Sequence, residues 1–417
     1  MRDSKTAIVL TIGDELLNGR RLDGNLNWIS GELYRLGVHV EKAISICDNV
    51  SQIKSELLKL KKIDYVFITG GLGGTSDDVT IEAIRDFLNS ETYFDEKYYA
   101  KLKAMFIEKS SIATPLLKKQ AIKLNAVKYF DEAIGTAQGF KFDNKGVFYF
   151  VFPGVPRELK YIFLNSVKPF LIKNNKREIS SHTIDLFGLA EGYIFEKVRK
   201  IVDENKDIKF SFLPSFKKVS IILSSLDAIK LQKIKNNIVN LLDPYVYSDK
   251  GETLETKIKN ILIDKKMTLS TCESCTAGKL SEIITRAPGS SLYYKGGVTA
   301  YSNEIKNKVV NIDKKSIDKY GAVSKEIAIE MANKVSELME SDISISITGL
   351  SGPESDSFEK PVGTVFIAIK ILNKNFVNKY TINYDREKHR EISSQIALNN
   401  LRLILLNKWS DNIYKFK

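Results

Sequence analysis

Tyr65-Val-Phe-Ile-Thr69 runs directly into Gly70-Gly71-Leu72-Gly73-Gly74-Thr75-Ser76-Asp77-Asp78-Val79-Thr80. A short continuous apolar run, then glycines, then helix-compatible residues reads as a buried strand, a tight loop and a helix start. Working outward, Ala7 to Ile12 and Val38 to Ile46 are further strand-like runs, and helical patterns cover Asn25 to Leu36 and Val50 to Leu60. This βαβαβ alternation predicts a parallel sheet with helices on both faces, in which ligands gather beyond the carboxyl ends of the strands. Helices near Lys97 to Glu108 and Pro115 to Leu124 follow. A strand at Val147 to Phe152 then enters the turn Pro153-Gly154-Val155-Pro156, and a helix from Arg157 to Ile172 closes the segment.

The loop carries chemistry. Glycines let the backbone approach a ligand, their amides point at an anion, and the following helix start adds partial positive charge. Gly70, Gly71, Gly73, Gly74 and Thr75 are therefore candidate phosphate-binding residues. Asp77 and Asp78 would repel a phosphate unless Mg²⁺ or another divalent cation stood between, which makes them candidate metal ligands. The plainer alternative makes one a helix cap and the other a solvated charge. No GK[ST] closes the loop, so it is not a Walker A sequence. Asp14 and Glu15, just past the first strand, fall on the same sheet edge and are both candidate ligand or metal contacts. Asn25 and Asn27 suit a helix cap better than a substrate contact. Metal-assisted phosphate hydrolysis is the reaction this set suggests.

After a charged stretch, Lys173 to Glu178, the pattern becomes strand His182 to Phe187, helix Glu191 to Val202, strands Lys209 to Leu213 and Lys218 to Ser224, helix Ala228 to Leu242, and strand Tyr245 to Ser248. This βαββαβ order is ferredoxin-like or KH-like. Gly188-Leu-Ala-Glu-Gly192 is one residue too long for the GxxG loop with which a KH domain grips RNA, so a spacer or dimerisation unit is expected. A third α/β pattern follows: helix Leu254 to Ile263, strand Thr268 to Thr271, a helix from Thr276, strand Gly297 to Ala300, helix Ser324 to Met339, strands Ile343 to Ile347, Thr364 to Lys370 and Lys379 to Tyr384, and helix Arg390 to Trp409.

In this third part Cys272-Glu273-Ser274-Cys275-Thr276-Ala277-Gly278 lies at a strand exit before a helix. A hydroxyl there sits beside free helix amides, a good position for a nucleophile. The chain has only 3 His, none near Ser274 in sequence, so a lysine is the natural base. Lys306, just past the strand ending near Tyr301, could reach it if burial kept it neutral. The ordinary alternative is an N-cap serine and a solvated lysine. Gly349 and Gly352, in a turn after another strand, and Arg386 are candidate phosphate contacts on the substrate. Cys272 and Cys275 lack the further ligands that zinc requires, and their spacing is read as coincidental.

Composition bounds the rest. With 417 residues, 43% hydrophobic and 27% charged, and only 9 Pro and 24 Gly, the chain is a multidomain globular protein and neither disordered nor fibrous. Its 3 Cys cannot form a disulfide framework, and no apolar run approaches the roughly 20 residues of a membrane helix. A cytoplasmic location is expected. The net charge of +12 comes from lysines spread along the chain, which argues against a nucleic-acid surface and suits anionic small substrates.

Gly13-Asp-Glu-Leu-Leu-Asn-Gly19, Thr69 to Asp78, Gly135-Thr-Ala-Gln-Gly-Phe140 and Phe152-Pro-Gly-Val-Pro-Arg-Glu-Leu159 resemble the molybdopterin-binding-like domain of the CinA family. Glu273 to Gly278, Pro288-Gly-Ser-Ser291, Gly296 to Lys306, Gly321-Ala-Val-Ser324, Thr348 to Pro353 and Lys360-Pro-Val-Gly-Thr364 are similar, in order and spacing, to the family's C-terminal domain. The resemblance implies a molybdopterin-binding-like doubly wound sheet over 1–172, a small α+β domain over 173–249 and a C-terminal α/β CinA domain over 250–417. It implies hydrolysis of ADP-ribose to AMP and ribose 5-phosphate in the first, with a divalent cation and K⁺. In the last it implies deamidation of nicotinamide mononucleotide without a cofactor, Ser274 attacking, Lys306 as base, Thr276 as a further catalytic residue and Tyr301 on the substrate. Gly74 and Ser76 stand where GGLGPTPDD has prolines, and Ala277 stands where ESCTGG has glycine. A methyl at 277 fits a helical φ and obstructs if φ is positive. A homodimer working on small nucleotides, without membrane or nucleic acid, is expected. Competing expectations are a molybdopterin adenylyltransferase-like enzyme and a DNA-associated competence factor that acts by binding alone.

Overall fold

The computed structural model describes residues 5–108, 116–131, 134–175, 179–215, 218–353, 360–410 and 413–414, in two compact units that divide at residue 180. Pro115, and most of the expected linker's end at 176–178, lie outside the described residues.

The first unit is built on strands β1 (Thr6–Ile12), β2 (His39–Ile46), β3 (Tyr65–Thr69), β6 (Lys128–Tyr129), β7 (Phe140–Asn144) and β8 (Val147–Phe152), in the order β2-β1-β3-β8-β7-β6; β4 (Thr92–Phe94) and β5 (Ile122–Leu124) form a separate pair. Strands β2, β1, β3 and β8 are parallel, and β7 runs antiparallel to β8. Every residue of β1 and β3 is buried, because helices cover both faces, and this is why both read as unbroken apolar runs. One face packs Leu10, Val66 and Ile68, and the other packs Val9, Phe67 and Phe150. The expected helix from Pro115 to Leu124 is instead a helix at Leu116–Gln120 followed by β5, since Ile122 pairs with Phe94 across the ladder. The expected Arg157 to Ile172 helix is interrupted by a π-helical turn at Phe163–Val167 and resumes over Lys168–Asn174 with Pro169 in its first turn, where no amide donor is needed.

The second unit carries two sheets. Strands β9 (Ser180–Phe187), β10 (Lys209–Ser215), β11 (Lys218–Ser225) and β12 (Val246–Ser248) take the order β10-β11-β9-β12, the ferredoxin-like arrangement. Strands β13 (Leu269–Glu273), β14 (Tyr294–Thr299), β15 (Ile343–Gly349), β16 (Thr364–Ile371) and β17 (Lys374–Thr381) take the order β14-β13-β15-β16-β17. The first three of that order are mutually parallel, while β16 and β17 form an antiparallel hairpin. The last strand falls earlier than the expected Lys379 to Tyr384, because the tight turn at Leu372 sets Ile371 opposite Lys374. The final helix spans Arg386–Leu405 and not Arg390 to Trp409, its start fixed by Asp385, whose side chain accepts from the Lys388 N–H at 2.9 Å. Buried Arg402 on this helix donates to the carbonyls of Val246 at 3.0 Å and Pro244 at 2.8 Å, fastening the four-stranded sheet to the five-stranded one. Among the described residues no helix is long and apolar enough to cross a membrane.

Candidate active sites

From β13 the chain crosses to β14 on one side and returns through β15 on the other, so the carboxyl end of β13 is a topological switch point. Glu273 is level with Thr299 on β14 and Ile347 on β15. One residue further on, the Ser274 N–H donates to the Ile347 carbonyl at 2.9 Å and the Ala300 N–H to the Glu273 carbonyl at 2.8 Å, which brings Ser274 and Ala300 together at the edge. Ser302 then accepts from the Ile305 N–H at 3.2 Å and starts the short helix Asn303–Lys308, which turns Lys306 back toward that edge. Its Nζ donates to Ser274 Oγ at 3.1 Å, to the Ala300 carbonyl at 2.9 Å and to the Tyr301 carbonyl at 3.4 Å.

Lys306 is 2% exposed, and no carboxylate of the described residues pairs with it. Burial lowers its pKa, opposed by smaller contributions from Cys272 and Cys275. An amine that sheds its proton this way, in contact with a serine hydroxyl, has the geometry of a base and its nucleophile. Both cysteines are free, and burial pushes their thiols up to about 12.

The loop after Ser274 departs from the expected helix start at Thr276. The helix begins at Lys279, after Ala277 with φ +48° and Gly278 with φ +89°. Ala277 is thus left-handed, the conformation in which a side chain is obstructive. Thr276 Oγ1 is buried with no hydrogen-bond partner, and the Thr276 carbonyl accepts from the Lys279 N–H. Glu273, quoted in the sequence only as part of a motif, anchors the helix start: it accepts from the N–H groups of Leu280 (3.0 Å) and Ser281 (2.9 Å) and from the Ser281 hydroxyl (2.6 Å). Arg386, Gly352 and Tyr301 come together, Arg386 donating to the Gly352 carbonyl at 2.8 Å and to the Tyr301 hydroxyl. Gly349 is needed for packing, since a Cβ there would stand 2.8 Å from the Thr364 carbonyl oxygen. His389, fully buried beside this turn, shares a 3.0 Å hydrogen bond through Nδ1 with the Ser351 hydroxyl.

The first unit has its own switch point, at the carboxyl end of β1 between β2 and β3. A cavity of about 650 Å³ opens there, lined by Asp14, Gly70, Gly71, Gly73, Asp77 and Asp78 among others. Gly74 and Thr75 do not line it. Gly70 has φ +109°, and a Cβ on it would stand 2.1 Å from the Ile12 carbonyl oxygen, so only glycine lets β3 turn beside β1. Asp78 closes the loop from within: its Oδ2 accepts from Thr75 N–H at 2.8 Å and Thr75 Oγ1 at 2.6 Å, and Lys119 donates to the carbonyls of Thr75 and Asp78. Asn25, given above as a cap, bridges Thr69 Oγ1 (3.1 Å) and the Gly154 carbonyl (2.8 Å), while Asp23 caps that helix. Asp48 was not singled out in the sequence, yet it follows β2 on the same edge. Its Oδ2 accepts from the Asp14 N–H at 3.0 Å, and burial, then Asp14, Glu15 and Asp77, raise its pKa against that hydrogen bond. Among the described residues no three carboxylate, imidazole or thiol groups converge as a metal cage.

Fold and sites define a mixed α/β protein with a glycine-loop cavity on one unit and a buried serine–lysine pair on the other. The chain belongs to the CinA family. Residues 8–173 match the family described as "Probable molybdopterin binding domain" and residues 251–405 match "CinA C-terminal domain". It is 33% identical to a CinA-like protein of Geotalea uraniireducens over 95% of this chain and 97% of that one. A CinA-like protein of Thermosipho melanesiensis is 35% identical, over 96% of this chain and all of its own length (100%). Another from Flavobacterium psychrophilum is 34% identical, over 97% and 99%.

Proposed function

We propose that the chain is a two-site hydrolase acting on breakdown products of pyridine nucleotides. The observation that carries this reading is Lys306 Nζ, buried without a carboxylate partner among the described residues, 3.1 Å from Ser274 Oγ. In nicotinamide mononucleotide, Ser274 Oγ attacks the carboxamide carbon as its proton passes to Lys306 Nζ. The oxyanion that forms would be stabilised by those N–H groups of the loop after Ser274 that its own turn does not use. Lys306 returns the proton to the departing nitrogen, ammonia leaves an acyl-serine, and water, deprotonated by Lys306, releases nicotinate mononucleotide. Arg386, Tyr301 and Gly352 hold the phosphate end.

In the first unit the loop amides at Gly71 to Gly73, with Arg20 and Arg21 on the cavity wall, receive the diphosphate of ADP-ribose, the Gly70 N–H being held by the Phe152 carbonyl at 3.2 Å. Mg²⁺ is commonly held by only one or two carboxylates and completed by substrate phosphate and water, so Asp77 and Asp78, with Asp14 beside them, fit a divalent cation without a preformed cage. Bound there, it would neutralise phosphate oxygens and acidify a water. The molybdopterin-binding match over 8–173 favours one second reading, transfer of AMP to a pterin.

The test is ammonia release from nicotinamide mononucleotide and AMP release from ADP-ribose, measured on the wild type, Ser274→Ala and Asp77→Asn. Asp77 is chosen because Asp78 also holds Thr75 in place. Each variant should lose one activity and keep the other. Equal loss of both in either variant contradicts two sites, and AMP appearing only on a pterin acceptor selects the second reading.

A further inference from the structure

The last helix reaches back to the loop that presents Ser274. From it Arg390 donates through Nε to the Thr276 carbonyl at 2.9 Å and through Nη2 to the Ala277 carbonyl at 3.5 Å. A guanidinium fork ordinarily meets a carboxylate or phosphate. Among the described residues Arg390 pairs with no carboxylate, and its neighbour Glu391 is taken by Lys279 at 3.1 Å. One edge of the guanidinium, Nε and Nη2, is therefore given to two consecutive backbone carbonyls.

Those carbonyls flank the one residue of the loop that opposes its own conformation. Ala277 has φ +48°, where an L side chain crowds the following carbonyl and glycine does not. The Ala277 N–H donates to the Ser274 carbonyl at 3.1 Å, so the turn closes directly on the nucleophile's backbone. If Ala277 relaxed to a right-handed φ, the carbonyls of Thr276 and Ala277 would swing, that closure would break, and Ser274 Oγ would leave the reach of Lys306 Nζ.

We propose that Arg390 is a positioning residue: it fixes the two carbonyl directions that keep Ala277 left-handed and thereby holds Ser274 against Lys306. This rests on Ser274 being the nucleophile. Among the described residues the hydrogen bonds of Arg390 go to the loop, and those of the Tyr301, Gly352 and Arg386 cluster do not involve it, so its loss falls on turnover and leaves substrate affinity in place. It also explains how alanine is carried at a position suited to glycine, because an external clamp replaces glycine's freedom.

The experiment is a double-mutant cycle of wild type, Arg390→Gln, Ala277→Gly and the double variant, following kcat and KM for ammonia release from nicotinamide mononucleotide together with the thermal midpoint. Arg390→Gln should lower kcat by about tenfold or more with KM changed by less than about threefold. Ala277→Gly should raise the thermal midpoint, and in that background both the kcat loss and the midpoint loss caused by Arg390→Gln should be smaller, because glycine holds the turn unaided. Additive effects in both readouts, or a raised KM with unchanged kcat, overturn the clamp. If the wild type releases no ammonia, the functional reading has failed, and the clamp is judged by the thermal cycle alone, where coupling supports it and additivity refutes it. Should Arg390→Gln not fold, Arg390→Lys carries the same cycle, as an ammonium cannot span both carbonyls with a planar fork.

Discussion

The amine of Lys306 rests on the carbonyl of Ala300 at 2.9 Å, six residues back in its own chain, and on no carboxylate of the described residues. Carbonyl dipoles and a hydroxyl stabilise an ammonium less than water does, and burial consequently moves its pKa below the ordinary 10.5. A base must be unprotonated. Ammonia release should fall tenfold per pH unit on the acid side of the lowered pKa and level off above it. The check is kcat/KM against pH. A profile whose acid limb turns at the free-lysine value would mean that Lys306 is not the base.

The same shift has a consequence for stability. Between the lowered pKa and 10.5 the unfolded chain binds more protons at Lys306 than the folded one, so this residue makes stability rise with pH across that window. Below it the full penalty of the buried amine is present. Lys306→Met removes the penalty with little change in volume and should raise stability at neutral pH by about 1 kcal/mol while abolishing ammonia release. Urea melts at neutral pH and near pH 10 test this, the gap between variant and wild type narrowing at the higher pH.

Gly70→Ala places a methyl 2.1 Å from the Ile12 carbonyl oxygen at a φ of +109°. Neither strand can yield, because both are buried on each face. The change should cost about 3 kcal/mol and remove AMP release from ADP-ribose. Ammonia release should survive at temperatures below the lowered transition. Retention of both activities with an unchanged melting curve would show that the loop does not need its left-handed turn.

What the sequence made legible follows from how local each signal is. The ends of β1, β3 and β13 are marked by apolar runs meeting glycine, acid or serine, so Asp14, Gly70 and Ser274 could be placed on strand exits without coordinates. Lys306 was reachable because only the short turn at 300–302 separates its helix from the end of β14, the strand beside β13. Pairing partners leave no such local trace. β5 reads as helix because its ladder with β4 is invisible in composition, and β17 reads too late because the turn at Leu372 has no glycine to announce it. Arg390 stands 114 residues from the carbonyl it grips, and only the fold brings them together. Asp48 could have been found, since it follows β2 by the rule that selected Asp14 after β1.

Arg402 gives the last prediction, which concerns how the second unit holds together. It is 2% exposed, its guanidinium bonds Val246 and Pro244 carbonyls on one sheet's margin and Asn399 Oδ1 at 2.8 Å on its own helix, and burial lowers its pKa to about 10. Arg402→Ala strands those acceptors out of water and opens a void, a combination worth about 3 kcal/mol. Arg402→Met fills most of the volume but donates nothing, so it should recover only the packing part. Because the link joins two sheets that each have their own apolar core, the loss should also lower cooperativity. In urea the wild-type second unit should unfold in one step, whereas Arg402→Ala should release the β9–β12 sheet first, detectable as fluorescence and circular-dichroism transitions that no longer coincide. Coincident transitions with a midpoint close to wild type would mean that Phe187 and Tyr247, which belong to the larger core, suffice to hold the sheets without the arginine.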